Sequence, residues 1–395
     1  MKVIKSHIWP SRDLSWRFFN PVKICFGTGV RTQVVDALSG ERFALVCTPR
    51  GRQRLFNDSA FITLICNPKL VWADFVEANP DIDRVQTFID NLRVARVKAI
   101  IAIGGGSVID TAKALSVGLV SNENNLRQLI AESQILERLK ALPLFTVPTT
   151  AGTGSEVTPF ATLWDYSQGM KLSLEGPNLY PKIAFVDPIS TLELSKENII
   201  TTGLDAINQS AESIWNRNAN PITVELAIRA LDLGLSALHK LVQSPTSQEA
   251  HRDMMECSLL AGLAISQTKT ALCHSISYPL TINYGIPHGL ACAFSMAAVA
   301  HFNSEKDDGR ILYAAQSLGF DKVESLIQHI ETILRSVRFA DRISNYFKCR
   351  TKEIGSLVSK MDDLKRSKNN LRQPDQDNIR MIVSKSWQEY VKINS

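Results

Sequence analysis

Ala99-Ile-Ile-Ala-Ile103-Gly104-Gly105-Gly106-Ser107-Val-Ile-Asp110-Thr-Ala-Lys113 is the stretch that decides the fold of this 395-residue chain. Its first five residues are apolar and rich in β-branched side chains, as expected of a strand buried on both faces of a parallel sheet. Three glycines follow, and the residues after them read as a helix. A strand, a glycine turn and a helix start let backbone N–H groups approach a pyrophosphate. The spacing departs from the G-x-G-x-x-G fingerprint. On local grounds the turn therefore reads equally as a plain tight turn or as a phosphate site.

Working outward, similar short apolar runs occur at residues 43–47, 61–66, 144–147 and 183–186, separated by helical stretches. That alternation predicts a doubly wound parallel α/β sheet. After Pro188 the strand-like runs stop. Residues 194–215, 221–242, 248–266, 289–302 and 321–336 all read as helices. The expected division is an α/β domain over 1–190 and a helical domain over 191–395. Residues 122–125, Asn-Glu-Asn-Asn, read as a loop.

Composition is that of an ordinary globular chain, 45% hydrophobic and 21% charged. The excess of 44 basic over 39 acidic residues gives +5 without a long basic block, which argues against nucleic acid as a partner but suits an anionic small molecule. Seven cysteines without a C-x-x-C pair read as reduced thiols. The first ten residues carry no apolar h-region, and no run of 18 apolar residues suggests a membrane span. A cytoplasmic location is the expectation.

Two further stretches carry chemistry. Leu144-Phe-Thr-Val-Pro148-Thr149-Thr150-Ala-Gly152-Thr-Gly-Ser155-Glu156 runs from a strand into a loop of glycines and hydroxyls, which suits either a ligand or a surface turn. His274 and His288 stand 14 residues apart, the second between Pro287 and Gly289. Upstream, Asp205 and Gln209 are i, i+4 and share a helix face. Asp, Gln and two His make a divalent-metal set, since imidazole suits zinc and iron and a carboxylate adds charge. Singly, each also reads as an ordinary structural residue.

Taken together, these stretches resemble the iron-containing alcohol dehydrogenase family. The resemblance rests on Gly104-Gly-Gly-Ser-Val-Ile-Asp110-Thr-Ala-Lys113, Pro148-Thr-Thr-Ala-Gly-Thr-Gly-Ser155-Glu156, Asp187-Pro188, Gly203-Leu-Asp205-Ala and Pro287-His288-Gly289. Pro21-Val-Lys-Ile-Cys-Phe26-Gly-Thr-Gly29 resembles the family's opening strand. The resemblance implies the dehydroquinate synthase-like fold, an NAD(P)-dependent alcohol dehydrogenase or aldehyde reductase activity, bound Fe2+ or Zn2+, and a homodimer. It implies cofactor contacts from Gly104, Gly105, Gly106, Ser107, Asp110, Thr149, Thr150, Ser155 and Lys171. It implies metal ligation by Asp205, Gln209, His274 and His288. The stretch after the first strand, Thr48-Pro49-Arg50-Gly51-Arg52, lacks the acid that would repel a 2′-phosphate. Arg50 and Arg52 suit that phosphate, so NADPH is expected over NADH.

The chain departs from the family at Gln209, where the pattern places His. The expectation is that the site still holds Fe2+ or Zn2+. Loose metal holding, or chemistry without metal, are the alternatives. Tyr278 stands where many relatives carry His, and a phenol there could relay a proton. Residues 269–281, 212–221 and 369–371 resemble the phosphonoacetaldehyde reductases, a subgroup that reduces phosphonoacetaldehyde to 2-hydroxyethylphosphonate in phosphonate biosynthesis. By that likeness Lys269 and Arg217 hold the anionic tail, with Arg366 or Lys368 assisting, and Lys269 and Tyr278 act in catalysis. The competing readings are a general aldehyde reductase, a dehydroquinate synthase-like lyase, and a non-catalytic member.

Overall fold

The structure, a computed structural model, describes residues 15–38, 40–122, 125–347 and 354–391. The N-terminal ten residues and positions 123–124 of the expected 122–125 loop lie outside them. The chain divides into two compact units.

The first unit, Asn20–Glu193, holds a six-stranded sheet. Its strands are β1 Lys23–Phe26, β2 Phe43–Val46, β3 Leu70–Ala73, β4 Ala99–Gly104, β5 Leu144–Pro148 and β8 Ile183–Val186. Their order is β1-β8-β5-β4-β2-β3, and every pairing is parallel. Alternation along each strand builds two cores. Ala44, Val46, Ile100, Ala102 and Leu144 pack with Ile82, Val85 and Ile89 of helix α2 (Ile82–Ala95) and with Val108 and Ala112 of α3 (Gly106–Gly118). Phe43, Leu45, Ile101, Ile103 and Val147 point to the other face, onto Leu55 of α1 (Pro49–Asn57) and onto Val34, Phe61 and Leu64. Both faces are covered, which is why these strands read as continuous apolar runs rather than as alternation.

Two segments differ from the sequence expectation. Residues 61–66 are not a strand. Asp58 accepts from Ala60 N–H at 2.9 Å and starts a short helical turn, in which Phe61 and Leu64 are buried at i, i+3. The strand comes later, at β3. A short apolar run does not distinguish the two periods, so packing decided it. An antiparallel hairpin, β6 Phe160–Asp165 with β7 Met170–Glu175, was not expected.

The second unit is helical. Its main helices are α4 Lys196–Ile214, α5 Pro221–Gln243, α6 Gln248–Thr268, α7 Leu272–Tyr284, α8 His288–Ser304, α9 Arg310–Ser317, α10 Val323–Ser336, α11 Phe339–Phe347 and α12 Gln376–Tyr390. Local chemistry sets their starts. Ser195 accepts from Asn198 N–H, Ser247 accepts from Ala250 N–H, and Asn220 and Thr223 form a reciprocal capping box with Pro221 at the first helical position. The described residues 15–19 belong to this unit, whereas the expected α/β domain began at residue 1. Phe19 N–H donates to Gln267 Oε1 and Gln267 Nε2 donates back to Phe19 O, while Asn220 Nδ2 donates to Arg17 O. No described helix is long and apolar enough to cross a membrane.

Candidate active site

Asp205 on α4, His274 on α7 and His288 at the start of α8 converge in the helical unit, and Cys292, one turn along α8, joins them. One ligand atom from each lies within 4.8 Å of all the others. His274 Nε2 and His288 Nε2 stand 3.7 and 3.9 Å from Asp205 Oδ1. Cys292 Sγ is 3.7 Å from His288 Nε2. Gly289 makes this approach possible. A Cβ there would lie 1.9 Å from the Thr201 carbonyl oxygen and 3.1 Å from Asp205 Cβ, so only glycine lets α8 start against α4.

Glu212 orients His274. It is fully buried, and its Oε1 accepts from the N–H groups of Cys273 and His274 at 2.6 and 3.2 Å. Its Oε2 accepts from Ala271 N–H at 2.9 Å and lies 2.6 Å from His274 Nδ1. Fixing a proton on Nδ1 leaves Nε2 as the lone-pair donor facing Asp205. Burial works against the charge on Glu212, but His274 and the backbone donors outweigh it and hold its pKa below the usual carboxylate value. Burial likewise opposes an imidazolium at His274, yet Cys292 and Glu212 outweigh it and raise its pKa well above that of an ordinary histidine. A cation bound at Nε2 would replace that proton.

The donor set fits a divalent cation. It offers carboxylate oxygen and imidazole nitrogen at spacings a metal can span. Gln209, 3% exposed and one turn from Asp205 on α4, has its Oε1 buried without a hydrogen-bond partner. A buried carbonyl left so is costly unless something else satisfies it.

Tyr278 lies one turn beyond His274 on α7. Its ring stacks on that of His288, with centroids 6.1 Å apart and planes at 15°, and its hydroxyl accepts from Arg366 Nε at 3.0 Å. Lys368 is exposed. Lys269 caps the C-terminus of α6 with φ 61° and ψ 175°, a region almost reserved for glycine. Such strain costs about 1–3 kcal/mol and persists only where the surroundings impose it. Three asparagines hold the flanking backbone. Asn216 Nδ2 donates to Lys269 O, Asn218 Nδ2 to Thr268 O and Asn369 Nδ2 to Thr270 O, all at 3.0–3.1 Å. Buried Arg310 donates to Asn216 O and grips Asp308 with two nitrogens at 2.8 and 2.7 Å. Arg217 is placed differently from the expectation. Its side chain is exposed and donates to Leu371 O and Gln373 Oε1, fastening residues 369–373 to the turn after α4.

In the α/β unit, Arg50, Gly104, Gly105 and Thr149 line a cavity of about 510 Å³ at the C-terminal ends of the parallel strands, the usual ligand position on such sheets. Thr48 caps α1 by accepting from Gly51 N–H, and Arg50 and Arg54 project from its first turns. The two glycine-rich loops pack directly on each other. Thr149 N–H donates to Gly104 O, and Cβ atoms on Gly105 and Gly106 would meet Thr150 Oγ1 at 2.9 Å and Thr153 Cγ2 at 2.5 Å. Ser107 Oγ accepts from Asn79 N–H. Arg52 is turned away from the cavity, pairing with Asp74 at 2.8 Å and lying over the Trp72 ring.

Asp110 and Ser155 serve an internal network. Ser155 Oγ donates to Asp110 Oδ1 at 2.5 Å and Thr162 N–H donates to Oδ2 at 2.8 Å. Fully buried Lys113 donates to Ser155 Oγ, Thr158 Oγ1 and Phe160 O. Burial pulls Lys113 down to about 8 and pushes buried Glu156 up to about 7. Lys171 stands on β7 opposite Trp164, and its charge reaches Asp110.

Cys292 and Arg54 were missed from sequence, whereas Glu212 and the three asparagines fall in the segments 212–221 and 369–371 whose resemblance was noted, but without a role for any of them. Cys292 carried a signal, being i+4 from His288 on a helix. For Glu212 the segment resemblance gave no role, because only the fold brings it to a histidine 62 residues away.

A family model for iron-containing alcohol dehydrogenase matches residues 21–188, and one for the C-terminal part of the Fe-containing alcohol dehydrogenase family matches residues 199–387. Phosphonoacetaldehyde reductase of Streptomyces viridochromogenes is 36% identical over 225 residues, 56% of this chain and 57% of that protein. The probable alcohol dehydrogenase EutG of Salmonella typhimurium is 32% identical over 268 residues, 66% of this chain and 67% of that protein. The crystal structure of sulfoacetaldehyde reductase from Bifidobacterium kashiwanohense in complex with NAD+ superposes with a TM-score of 0.85 at 26% identity, covering 94% of this chain and 98% of that one.

Proposed function

The chain belongs to the iron-containing alcohol dehydrogenase family, and on that premise we propose that it reduces phosphonoacetaldehyde to 2-hydroxyethylphosphonate with NADPH. The observation that carries the substrate class is Lys269. A lysine held in a glycine-like backbone by Asn216, Asn218 and Asn369, five residues before His274, suits a fixed anion anchor. Likeness to the Streptomyces phosphonoacetaldehyde reductase favours phosphonate as that anion.

Asp205, His274 and His288, with Gln209 beside them, would hold the cation. When bound, the cation supplies Lewis acidity to the carbonyl oxygen and the dinucleotide supplies the hydride. The chain's own residues do the rest. Lys269 pairs with the phosphonate oxygens and fixes the aldehyde's orientation, which is where intramolecular positioning lowers a barrier. Glu212 holds His274 in one tautomer. Tyr278 passes a proton to the new alkoxide, its hydroxyl oriented by Arg366. Arg50, with Arg54, pairs with the 2′-phosphate. Asp58 and Glu193 also line that cavity, but Asp58 is paired with Arg31 at 3.2 Å and Glu193 with Arg54 at 3.8 Å. The backbone around Gly104, Gly105, Gly106 and Ser107 receives the pyrophosphate, with Thr149, Thr150 and Lys171 nearby.

A second reading is reduction of sulfoacetaldehyde, favoured by the structural likeness to a sulfoacetaldehyde reductase. The same lysine suits a sulfonate, and relative kcat/KM separates the two.

The test is NADPH oxidation with phosphonoacetaldehyde by enzyme stripped with a chelator and then resupplied with Fe2+ or Zn2+. Turnover that returns with metal supports the reading. Turnover indifferent to metal removes the cation from it. Absence of NADPH consumption on any aldehyde points to a lyase or a non-catalytic member.

A further inference from the structure

We propose that Cys292 is a thiolate ligand of the cation, that it takes the place of the imidazole replaced by Gln209, and that the site is built for zinc. The inference rests on the reading of this cluster as a metal site and goes beyond it in assigning the fourth donor.

The geometry is the first argument. Cys292 follows His288 by one helical turn, so α8 presents nitrogen and sulfur on one face. Its Sγ lies 3.7 Å from His288 Nε2, and Asp205 Oδ1 lies 3.7 and 3.9 Å from the two Nε2 atoms. A tetrahedral zinc with nitrogen and oxygen at ~2.0–2.1 Å and sulfur at ~2.3 Å has donor–donor edges of about 3.3–3.8 Å. Three of these donor–donor spacings are 3.7–3.9 Å and all four donors lie within 4.8 Å of one another, so an ion would draw them slightly together. Sγ is also 3.8 Å from His288 Nδ1, so the His288 ring would turn to aim Nε2 at the ion.

Charge and softness give the second argument. Gln209 offers a neutral carbonyl, a poorer donor than imidazole for zinc or iron. Asp205, His274 and His288 alone would bring one negative charge to a dication. A Cys292 thiolate brings the second, and thiolate donors select zinc over harder cations. Cys292 is fully buried, and one ligand atom from each of Asp205, His274, His288 and Cys292 lies within 4.8 Å of the others. The unpartnered Gln209 Oε1 marks the space beside Asp205 as one that a hydrated cation completes.

The test is Co2+ binding to chelator-stripped protein, followed by absorbance. Thiolate ligation produces an intense near-ultraviolet sulfur-to-cobalt charge-transfer band, which carboxylate and imidazole ligands alone do not. The wild type should show the band saturating at one equivalent. Cys273→Ser should keep it. Cys292→Ser should lose it and bind Zn2+ at least about tenfold more weakly, the loss expected of a deleted ligand rather than a distant change. Zinc-edge X-ray absorption of the wild type should require one sulfur near ~2.3 Å, which decides the matter even if a variant fails to fold. Co2+ bound at one equivalent without the band, or a band that survives Cys292→Ser, overturns the assignment and leaves the metal reading standing. Failure to bind Co2+ or Zn2+ at all overturns both.

Discussion

Glu212 Oε2 lies 2.6 Å from His274 Nδ1 in a fully buried pair 62 residues apart in sequence. The same carboxylate accepts three backbone N–H groups at the start of α7. It thus sets both where α7 begins and which nitrogen of His274 faces the cluster. Glu212→Gln keeps the size but puts an amide N–H against donors. We expect it to weaken Zn2+ binding by about 10–100-fold, the usual loss when the partner of a ligating histidine is removed. Chelator competition measures this, and unchanged affinity would deny Glu212 the role.

Gly289 carries an equally sharp expectation. A Cβ there lies 1.9 Å from the Thr201 carbonyl oxygen, a contact that backbone must relieve by moving. Gly289→Ala should cost about 1–3 kcal/mol by overpacking and push His288 away from Asp205. Thermal melting should show the first, and a fall of at least about tenfold in Zn2+ affinity the second.

Much of this was legible in the sequence, for physical reasons. The strands at residues 99–103 and 144–147 are buried on both faces, so hydrophobicity alone marks them. The segment at 61–66 misled because Phe61 and Leu64 are buried at helical spacing within a run too short to show its period. Asp205, His274 and His288 stood out as motifs. Lys269 stood out as a charge, but its strained backbone did not, because nothing local forces a lysine to positive φ. Asn216, Asn218 and Asn369 impose it, and they meet only in the fold.

The proposed preference for NADPH rests on Arg50. It is exposed at the first turn of α1 and lines the cavity of the α/β unit. A charge-assisted hydrogen bond is worth about 1.5–3 kcal/mol. Arg50→Ala should therefore raise KM for NADPH by about tenfold to a hundredfold and leave KM for NADH nearly unchanged. Equal changes for the two cofactors would contradict a 2′-phosphate contact.

Glu156 gives a pH signature. Burial, against the weaker pull of Lys113, raises its pKa from 4.5 to about 7 in the fold. An acid with a raised folded pKa favours the fold below its unfolded value, and that stability drains away as pH rises through the folded one. Melting temperature should fall between about pH 5 and pH 7. Glu156→Gln should flatten this slope. A wild-type slope of opposite sign, or one that survives the substitution, would rule out Glu156 as its source.

The measurement that bears most directly on the proposed function compares kcat/KM for phosphonoacetaldehyde and acetaldehyde with NADPH, in the wild type and in Lys269→Ala. The wild type should prefer phosphonoacetaldehyde. Lys269→Ala should lose at least about tenfold more efficiency on it than on acetaldehyde, the size of one charge-assisted contact. No preference in the wild type, or equal losses on both aldehydes, would contradict the account.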